Sequence, residues 1–330
     1  MIRWIVATLV VFALAAVTWW QVRDGKEGNI RKELVLHIGD TSRVYFVDIL
    51  HRDGERIQLR REDKTWTING EPARVHAVNN LLGTIHDQRV SALIPDNALK
   101  NVVRDLGSNG VRFDVKDKNG ESMLVFYVGG VTPDERGTLM IREDSEWPVI
   151  VNIPGFEGSL RSRYIMSRLD WSSRQLLRPI RSIQSLTLDY PARQEESLVM
   201  EKTEDGYQLK PLYQSGAESL PVHPFLLDAY LEQLNQLFAE AVLDGSKRPL
   251  LDASTPFCTL TVEDEMNQVQ KLEFYPTVWI DYQEDGLRPD RVERYYTDYN
   301  DRSIFLTQHL LMQKIFTGYE HFVSLKDFGQ

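Results

Sequence analysis

One cysteine, Cys258, stands among 330 residues, which excludes an intrachain disulfide and a zinc site built on several thiolates. Its setting, Thr255-Pro-Phe-Cys-Thr-Leu-Thr-Val262, reads as strand, with the thiol as a small buried hydrophobe. Catalytic and phosphate-binding motifs are missing as well. The seven histidines, His37, His51, His76, His86, His223, His309 and His321, are scattered singly, without His-Glu-x-x-His spacing. No serine sits in a Gly-x-Ser-x-Gly elbow, so the usual hydrolase nucleophile is absent. Neither Gly-x-x-x-x-Gly-Lys nor Gly-x-Gly-x-x-Gly joins a strand to a helix, which argues against nucleotide hydrolysis. No catalytic residue, cofactor or metal is therefore expected. Positive charge is also in deficit. The net charge is −10 with both signs interspersed, which argues against a nucleic-acid partner.

What is present begins with an uncharged run, Trp4 to Trp20, broken by no Asp, Glu, Lys or Arg. At about 1.5 Å per residue such a helix just crosses a hydrocarbon core of about 30 Å. Trp4, Trp19 and Trp20 suit the two interfaces. The run reads as an uncleaved single-pass anchor; a signal peptide cleaved at Ala13-Leu14-Ala15 is the competing reading, less well suited by Trp19-Trp20 and a lone Arg3. No cysteine follows that could carry a lipid. Arg23, Lys26, Arg31 and Lys32 outnumber Arg3, yet short, weakly charged N-terminal tails are often retained in the cytoplasm. The expected placement is an inner-membrane anchor with a periplasmic body.

Residues 1–32 make the anchor and linker, and the rest reads as one series of elements written twice, in 33–165 and 181–330, around a connector at 166–180. The first copy starts with a strand at Glu33–Ile38, then Val44–Leu50, Arg56–Arg60 after the Asp53-Gly54 turn, and Trp66–Gly70. Val75, Val78, Leu81, Leu82 and Ile85 mark one helical face. Strands follow at Val111–Val115, Met123–Val128, Thr138–Arg142 and Pro148–Ile153, with turns at Asn119-Gly120 and Gly129-Gly130. The second copy offers Ser185–Asp189, Ser197–Glu201 and Tyr207–Leu209. Leu227, Tyr230, Leu231, Leu234, Leu237 and Phe238 then form a helical face, and strands follow at Thr259–Val262, Lys271–Tyr275, Glu293–Thr297 and Ser303–Leu306. Pairing Trp66 with Tyr207, Phe126 with Phe274 and Ile150 with Phe305 gives offsets that grow along the chain, as insertions in a second copy would produce. A short connector helix is expected from near Ser172. The fold class is α+β: two similar units, each a mostly antiparallel sheet with one main helix.

Two loops carry the candidate partner-binding residues. In Gly129–Gly137 the glycines permit close backbone approach, and Asp134, Glu135 and Arg136 are placed to meet a partner; a solvated hairpin is the plainer reading. The loop Asp281–Arg291 adds Tyr282, Arg288 and Arg291, with Tyr295, Tyr296 and Tyr299 on the following strand. Aromatics with arginines and carboxylates make recognition surfaces, and equally make the exposed face of an ordinary sheet. Asp281, Asp285 and Asp290 do not follow the calcium-loop pattern.

The run Trp66-Thr-Ile-Asn69, the helix Val75–Ile85, Asn101–Gly107 leading into Val111–Val115, then Asn119-Gly120 and Phe126-Tyr-Val-Gly-Gly130, resembles the bacterial DUF4340 family. Leu106-Gly107 reverses the family's usual glycine-leucine order. The resemblance covers about residues 44–165, and the second half only by its order of elements. It implies an N-terminally anchored envelope protein whose neighbours include ABC-type export or gliding-motility permeases, and it supplies no catalytic residues. The expected function is a non-enzymatic envelope accessory or scaffold with protein partners of that kind. A small-ligand module using a cleft between the units is the alternative, and a hydrolase with an unrecognised site comes last.

Overall fold

The computed structural model describes residues 34–281 and 291–319. The chain divides into two compact units, the first ending at Ser172 and the second starting at Ser173. The expected membrane anchor, with Trp4, Trp19 and Trp20, lies outside the described residues, as do Tyr282 and Arg288. Among the described residues no helix is long and apolar enough to cross a membrane.

Unit 1 has strands β1 Phe46–Leu50, β2 Arg56–Glu62, β3 Thr65–Ile68, β4 Glu71–Pro72, β5 Arg89–Leu93, β6 Val111–Lys116, β7 Ser122–Val131, β8 Thr138–Arg142 and β9 Val149–Asn152. They form one nine-stranded sheet in the order β4-β3-β2-β1-β6-β7-β8-β9-β5, antiparallel throughout. From β1 the chain steps outward to the edge at β4, where Asn69 and Gly70 both take positive φ, the geometry of an Asn-Gly hairpin turn. It then leaves the sheet on helix α1, Val75–Asp87, and re-enters at the opposite edge as β5. Helix α2, Asp96–Asn109, carries it back, and β6 settles beside β1.

Unit 2 repeats this path. Its strands are β10 Ser185–Asp189, β11 Leu198–Thr203, β12 Gly206–Pro211, β13 Leu220–Pro221, β14 Ala241–Leu243, β15 Cys258–Glu263, β16 Val269–Pro276, β17 Arg294–Tyr299 and β18 Ser303–Gln308. Their order is β13-β12-β11-β10-β15-β16-β17-β18-β14. Counted from its own first strand, this is the order of unit 1. The fifth strand again stands at the far edge, and the sixth again inserts beside the first.

Register carries the match down to residues. Val47 faces Leu59 and Val115, and Leu186 faces Met200 and Val262. Continued outward, the ladders set Trp66 against Tyr207, because Arg61 pairs with Trp66 and Lys202 with Tyr207. Two pairings suggested by sequence slip. Phe274 corresponds to Val128, not Phe126, since the partners are Cys258 and Val111. Phe305 corresponds to Val149, not Ile150. The first slip, aromatic matched to aromatic, is two residues along the strand and stays on one face of the sheet; the second, Ile150 for Val149, is a single residue and changes face.

The main core of unit 1 lies between one sheet face and α1, whose Ala77, Val78, Leu81, Leu82 and Ile85 are buried. Val75 is exposed, outside that face. A sheet of seven core-contributing strands, spaced about 4.8 Å, is nearly three times as wide as a helix of about 10–12 Å. The remainder is covered by the strap after β9, where Leu160, Tyr164 and Trp171 are fully buried. This strap contains two single-turn helices, α3 Arg161–Tyr164 and α4 Arg168–Trp171. The connector helix therefore ends where sequence reading has it begin, and no helix starts at Ser172.

In unit 2 the same place is taken by helix α5, Pro224–Asn235, with Leu227, Tyr230, Leu231 and Leu234 inward. Leu237 is buried beyond the helix end, whereas Phe238 is 50 % exposed. The helix stops at Asn235 and the chain turns, which carries Phe238 off the expected face. Leu34–Ile38 is not a strand either. Its burial alternates, but its polar partners are the end of α1 and one side chain of β8: the Ile38 amide donates to the Ile85 carbonyl at 3.2 Å, the Gln88 side chain donates to the Leu36 carbonyl, and Arg142 donates to the Val35 carbonyl at 3.4 Å.

A second apolar layer corrects the expectation of one main helix per unit. On the other face of β7–β9, Ile94, Val102 and Leu106 pack with Tyr127, Leu139, Ile141 and Ile150. In unit 2 the corresponding face carries helix α6, Arg248–Asp252, and helix α7, Thr277–Asp281. Their Leu251 and Ile280 pack with Tyr275, Tyr296 and Ile304. The outer edges are blunted: β4 and β13 have two residues each, and β5 carries a register break between Val90 and Ala92. Short, interrupted edges resist strand addition. On the exposed sides of α1 and α2, Gly83 and Gly107 have open space where a Cβ would stand. Gly83→Ala and Gly107→Ala are each expected to stabilise unit 1 by about 0.5–1 kcal/mol, read as a higher urea midpoint.

Candidate functional site

The first candidate loop is largely strand. Gly129, Gly130 and Val131 continue β7, and the ladder shifts register between Val128 and Val131. The close approach that the glycines permit is that of α2. A Cβ on Gly129 would stand 2.7 Å from Leu106 Cδ2, and one on Gly130 would stand 3.1 Å from Asp105 Oδ2. The Gly130 amide donates to that same carboxylate at 3.1 Å, and Arg161 donates to the Gly129 carbonyl.

The turn itself, residues 132–137, is satisfied internally. Thr132 donates through Oγ1 to Asp134 at 2.6 Å and accepts from the Gly137 amide at 2.9 Å. The Thr132 hydroxyl and the Arg136 amide hold the Asp134 carboxyl below its ordinary range. Glu135 takes φ 59°, and Asp134, Glu135 and Arg136 are exposed. This is the geometry of a solvated hairpin connection.

The tyrosine-rich strand β17 differs from the half-exposed strand that alternation suggests. Its four central residues are buried because both faces of the sheet are covered here. Tyr295, 2 % exposed, belongs to the main core, and Tyr296 belongs to the second layer. Tyr299 packs against the main core and donates to Gln270 Oε1 at 3.3 Å.

Behind β17 lies a charged cluster. Glu273, Asp298 and Asp301 bring carboxylate oxygens within 4.8 Å of one another. Two cations offset two of its three charges: Arg248 grips both oxygens of Asp298, at 2.9 Å through Nη2, and Lys271 lies 2.7 Å from Glu273. Burial pushes the Asp298 carboxyl up more than Arg248 pulls it down. The cluster pins α6 to the sheet.

A groove of about 620 Å³ opens at the start of β17, where β18 gives way to the single-turn helix α8, His309–Met312. Arg291 and Tyr295, both expected from sequence to meet a partner, come together on its wall with Phe257, His309, Leu310 and Gln313. The Arg294–Gln308 pairing and the bond from the His309 amide to the Glu293 carbonyl at 2.8 Å fix this end of the sheet. Arg294 turns outward onto Glu240, with Nε 2.8 Å from Oε2.

The Tyr295 hydroxyl lies 2.8 Å from His309 Nδ1. Burial pushes the Tyr295 phenol up to about 12, so it keeps its proton at neutral pH, and the imidazole tautomer sets which of the two groups donates. Phe316 stands edge-on to Tyr295, Phe257 and Phe274, with centroids 5.4, 5.2 and 5.1 Å away. His309 and Phe257 were legible only as a scattered histidine and as part of a strand; what joins them to Tyr295 is strand register. Compared with known proteins, the chain matches no family model, no curated protein and no solved structure.

Proposed function

We propose that this protein is a non-enzymatic, membrane-anchored envelope accessory that presents folded sheet surfaces to a membrane transport or motility complex. The uncharged run Trp4–Trp20 and the resemblance over residues 44–165 motivate the placement in the envelope, with the body on the periplasmic side of the inner membrane.

The observation that carries the non-enzymatic reading is how the perturbed ionisable groups are employed. Glu143 is lowered by Arg112, Lys116 is raised by Asp48, Glu240 is lowered by Arg294 and Lys247 is raised by Asp281. Burial raises Tyr164, Tyr190 and Cys258 inside the cores. Catalysis asks for such groups to converge on a reacting atom, whereas these are committed to one another or to packing. What each unit leaves available is a polar sheet face. In unit 1 it carries Arg56, Gln58 and Arg60 on β2, with Asp48 and Lys116 beside them. The two sheets read as divergent copies of one ancestral unit, a common route to a larger binding scaffold.

Crosslinking in intact cells followed by detergent purification tests the reading. Recovery with an integral membrane protein in fixed ratio is expected. Recovery of this chain alone, at native expression, contradicts it.

A further inference from the structure

The groove in unit 2 stands where unit 1 is closed. Register makes Tyr295 the counterpart of Thr138, because Tyr295 pairs with Thr307 and Thr138 with Val151. In unit 1 the strap seals that position: the Leu160 amide donates to Thr138 Oγ1 at 2.8 Å, and Ser159 Oγ lies 3.1 Å from it. The strap there runs from Asn152 to Tyr164 before an aromatic returns to the core. In unit 2 it runs only from Gln308 to Phe316. Tyr295 is itself buried, 2 % exposed, and beside it, where the strap is the shorter among the described residues, a groove of about 620 Å³ opens.

We propose that this groove binds a small organic anion, a molecule with one carboxylate on a flat apolar body. Its volume lies within the range of small-molecule sites, about 300–1,000 Å³. The apolar contact comes from the partly buried Phe257 ring and from Leu310, 68 % exposed beside it.

The polar side of the wall is rich in donors. In the tautomer whose Nδ1 accepts from the Tyr295 phenol, His309 carries its proton on Nε2 and offers it as a donor. Arg294 is neutralised by Glu240, leaving Arg291 as the cation on the wall without an ion pair among the described residues. Glu293 is the lining carboxylate, and its side chain is 73 % exposed. A guanidinium and an imidazole N–H beside an aromatic wall match a carboxylate on a planar body. The inference is independent of the partner reading, since it concerns a small molecule.

Photolabelling of the full chain with para-benzoylbenzoate, which joins a carboxylate to a photoreactive aromatic ketone, tests this site, with neutral benzophenone as comparator. The expected result is saturable labelling mapped by mass spectrometry to residues 291–295 and 308–313. Arg291→Gln, an exposed position, is expected to reduce labelling by the acid at least tenfold and to leave the weak labelling by benzophenone unchanged. Gln313→Trp, which fills the groove, is expected to abolish both. Non-saturable labelling spread over the chain, equal labelling by acid and ketone, or indifference to Arg291→Gln overturns the proposal.

Discussion

Trp171→Ala is expected to cost unit 1 about 3–5 kcal/mol, a large part of the stability of an ordinary domain. The ring is fully buried at the end of the strap, in the region of the main core that α1 alone is too narrow to cover. Alanine removes that apolar surface and leaves a cavity which the surrounding sheet cannot collapse to fill. The neighbouring backbone stays tied, because the bond from the Arg74 amide to the Trp171 carbonyl, 2.7 Å, does not involve the side chain. Trp171→Phe is expected to cost much less, about 1.5 kcal/mol or under. It keeps most of the packing and discards an indole N–H that is buried without a partner. Trp147→Ala, at a site 48 % exposed, serves as control and is expected to stay within about 0.5 kcal/mol. Urea midpoints of the three variants decide the point; equal losses for Trp171→Ala and Trp147→Ala would remove the strap from the core.

The second large effect lies in unit 2. Arg248→Met removes the partner of Asp298, a carboxylate 2 % exposed, and breaking a buried pair in this way costs about 3–5 kcal/mol. The loss is expected to depend on pH. Burial already raises the Asp298 carboxyl in the folded protein, and the variant raises it further, above an unfolded value of about 3.9. A carboxyl raised in the folded state is best tolerated when protonated. The destabilisation is therefore greatest above the folded pKa and shrinks as pH falls through it. Urea midpoints at pH 7 and pH 5 read this directly. The double variant Arg248→Met with Asp298→Asn is expected to recover most of the loss, since no charge is then left buried. A loss unchanged by pH, and not recovered in the double variant, would mean that Arg248 acts through packing alone.

Much of the local structure was legible in the sequence because its causes are local. Period-two alternation marked β2, and Leu227, Tyr230, Leu231 and Leu234 marked α5. Asp53-Gly54 and Asn119-Gly120 marked turns whose glycines take φ 91° and 83°. Helix α2 was missed although Leu99, Val102 and Leu106 stand at helical spacing; strand β5 before it is only five residues long, mostly exposed and at an edge. The place of β5 at the far edge, and of β6 beside β1, follows from pairings between distant segments that no local pattern encodes.

The candidate site divides along the same line. Arg291 and Tyr295 were visible as an arginine and an aromatic near a loop, yet Tyr295 faces a core and is joined to His309 only through the β17–β18 register. The glycines Gly129 and Gly130 were visible as places of close approach, but what approaches is the chain's own helix. The groove lies beside the shorter of the two straps, and that correspondence becomes visible once the two sheets can be compared strand by strand.

That superposition is the claim on which the rest depends, and paired cysteines test it most directly. Asp48 and Asp114 face one another across β1 and β6, and Thr187 and Thr261 hold the corresponding places on β10 and β15. Directly opposed residues of antiparallel strands lie about 4.5–5.5 Å apart at Cα, within reach of a disulfide. With Cys258 buried and inert, Asp48→Cys with Asp114→Cys, and separately Thr187→Cys with Thr261→Cys, are predicted to close under mild oxidation. Asp48→Cys with Lys118→Cys, out of register, is predicted to stay open. Closure of one in-register pair without the other would contradict the claim that the two units share one sheet topology.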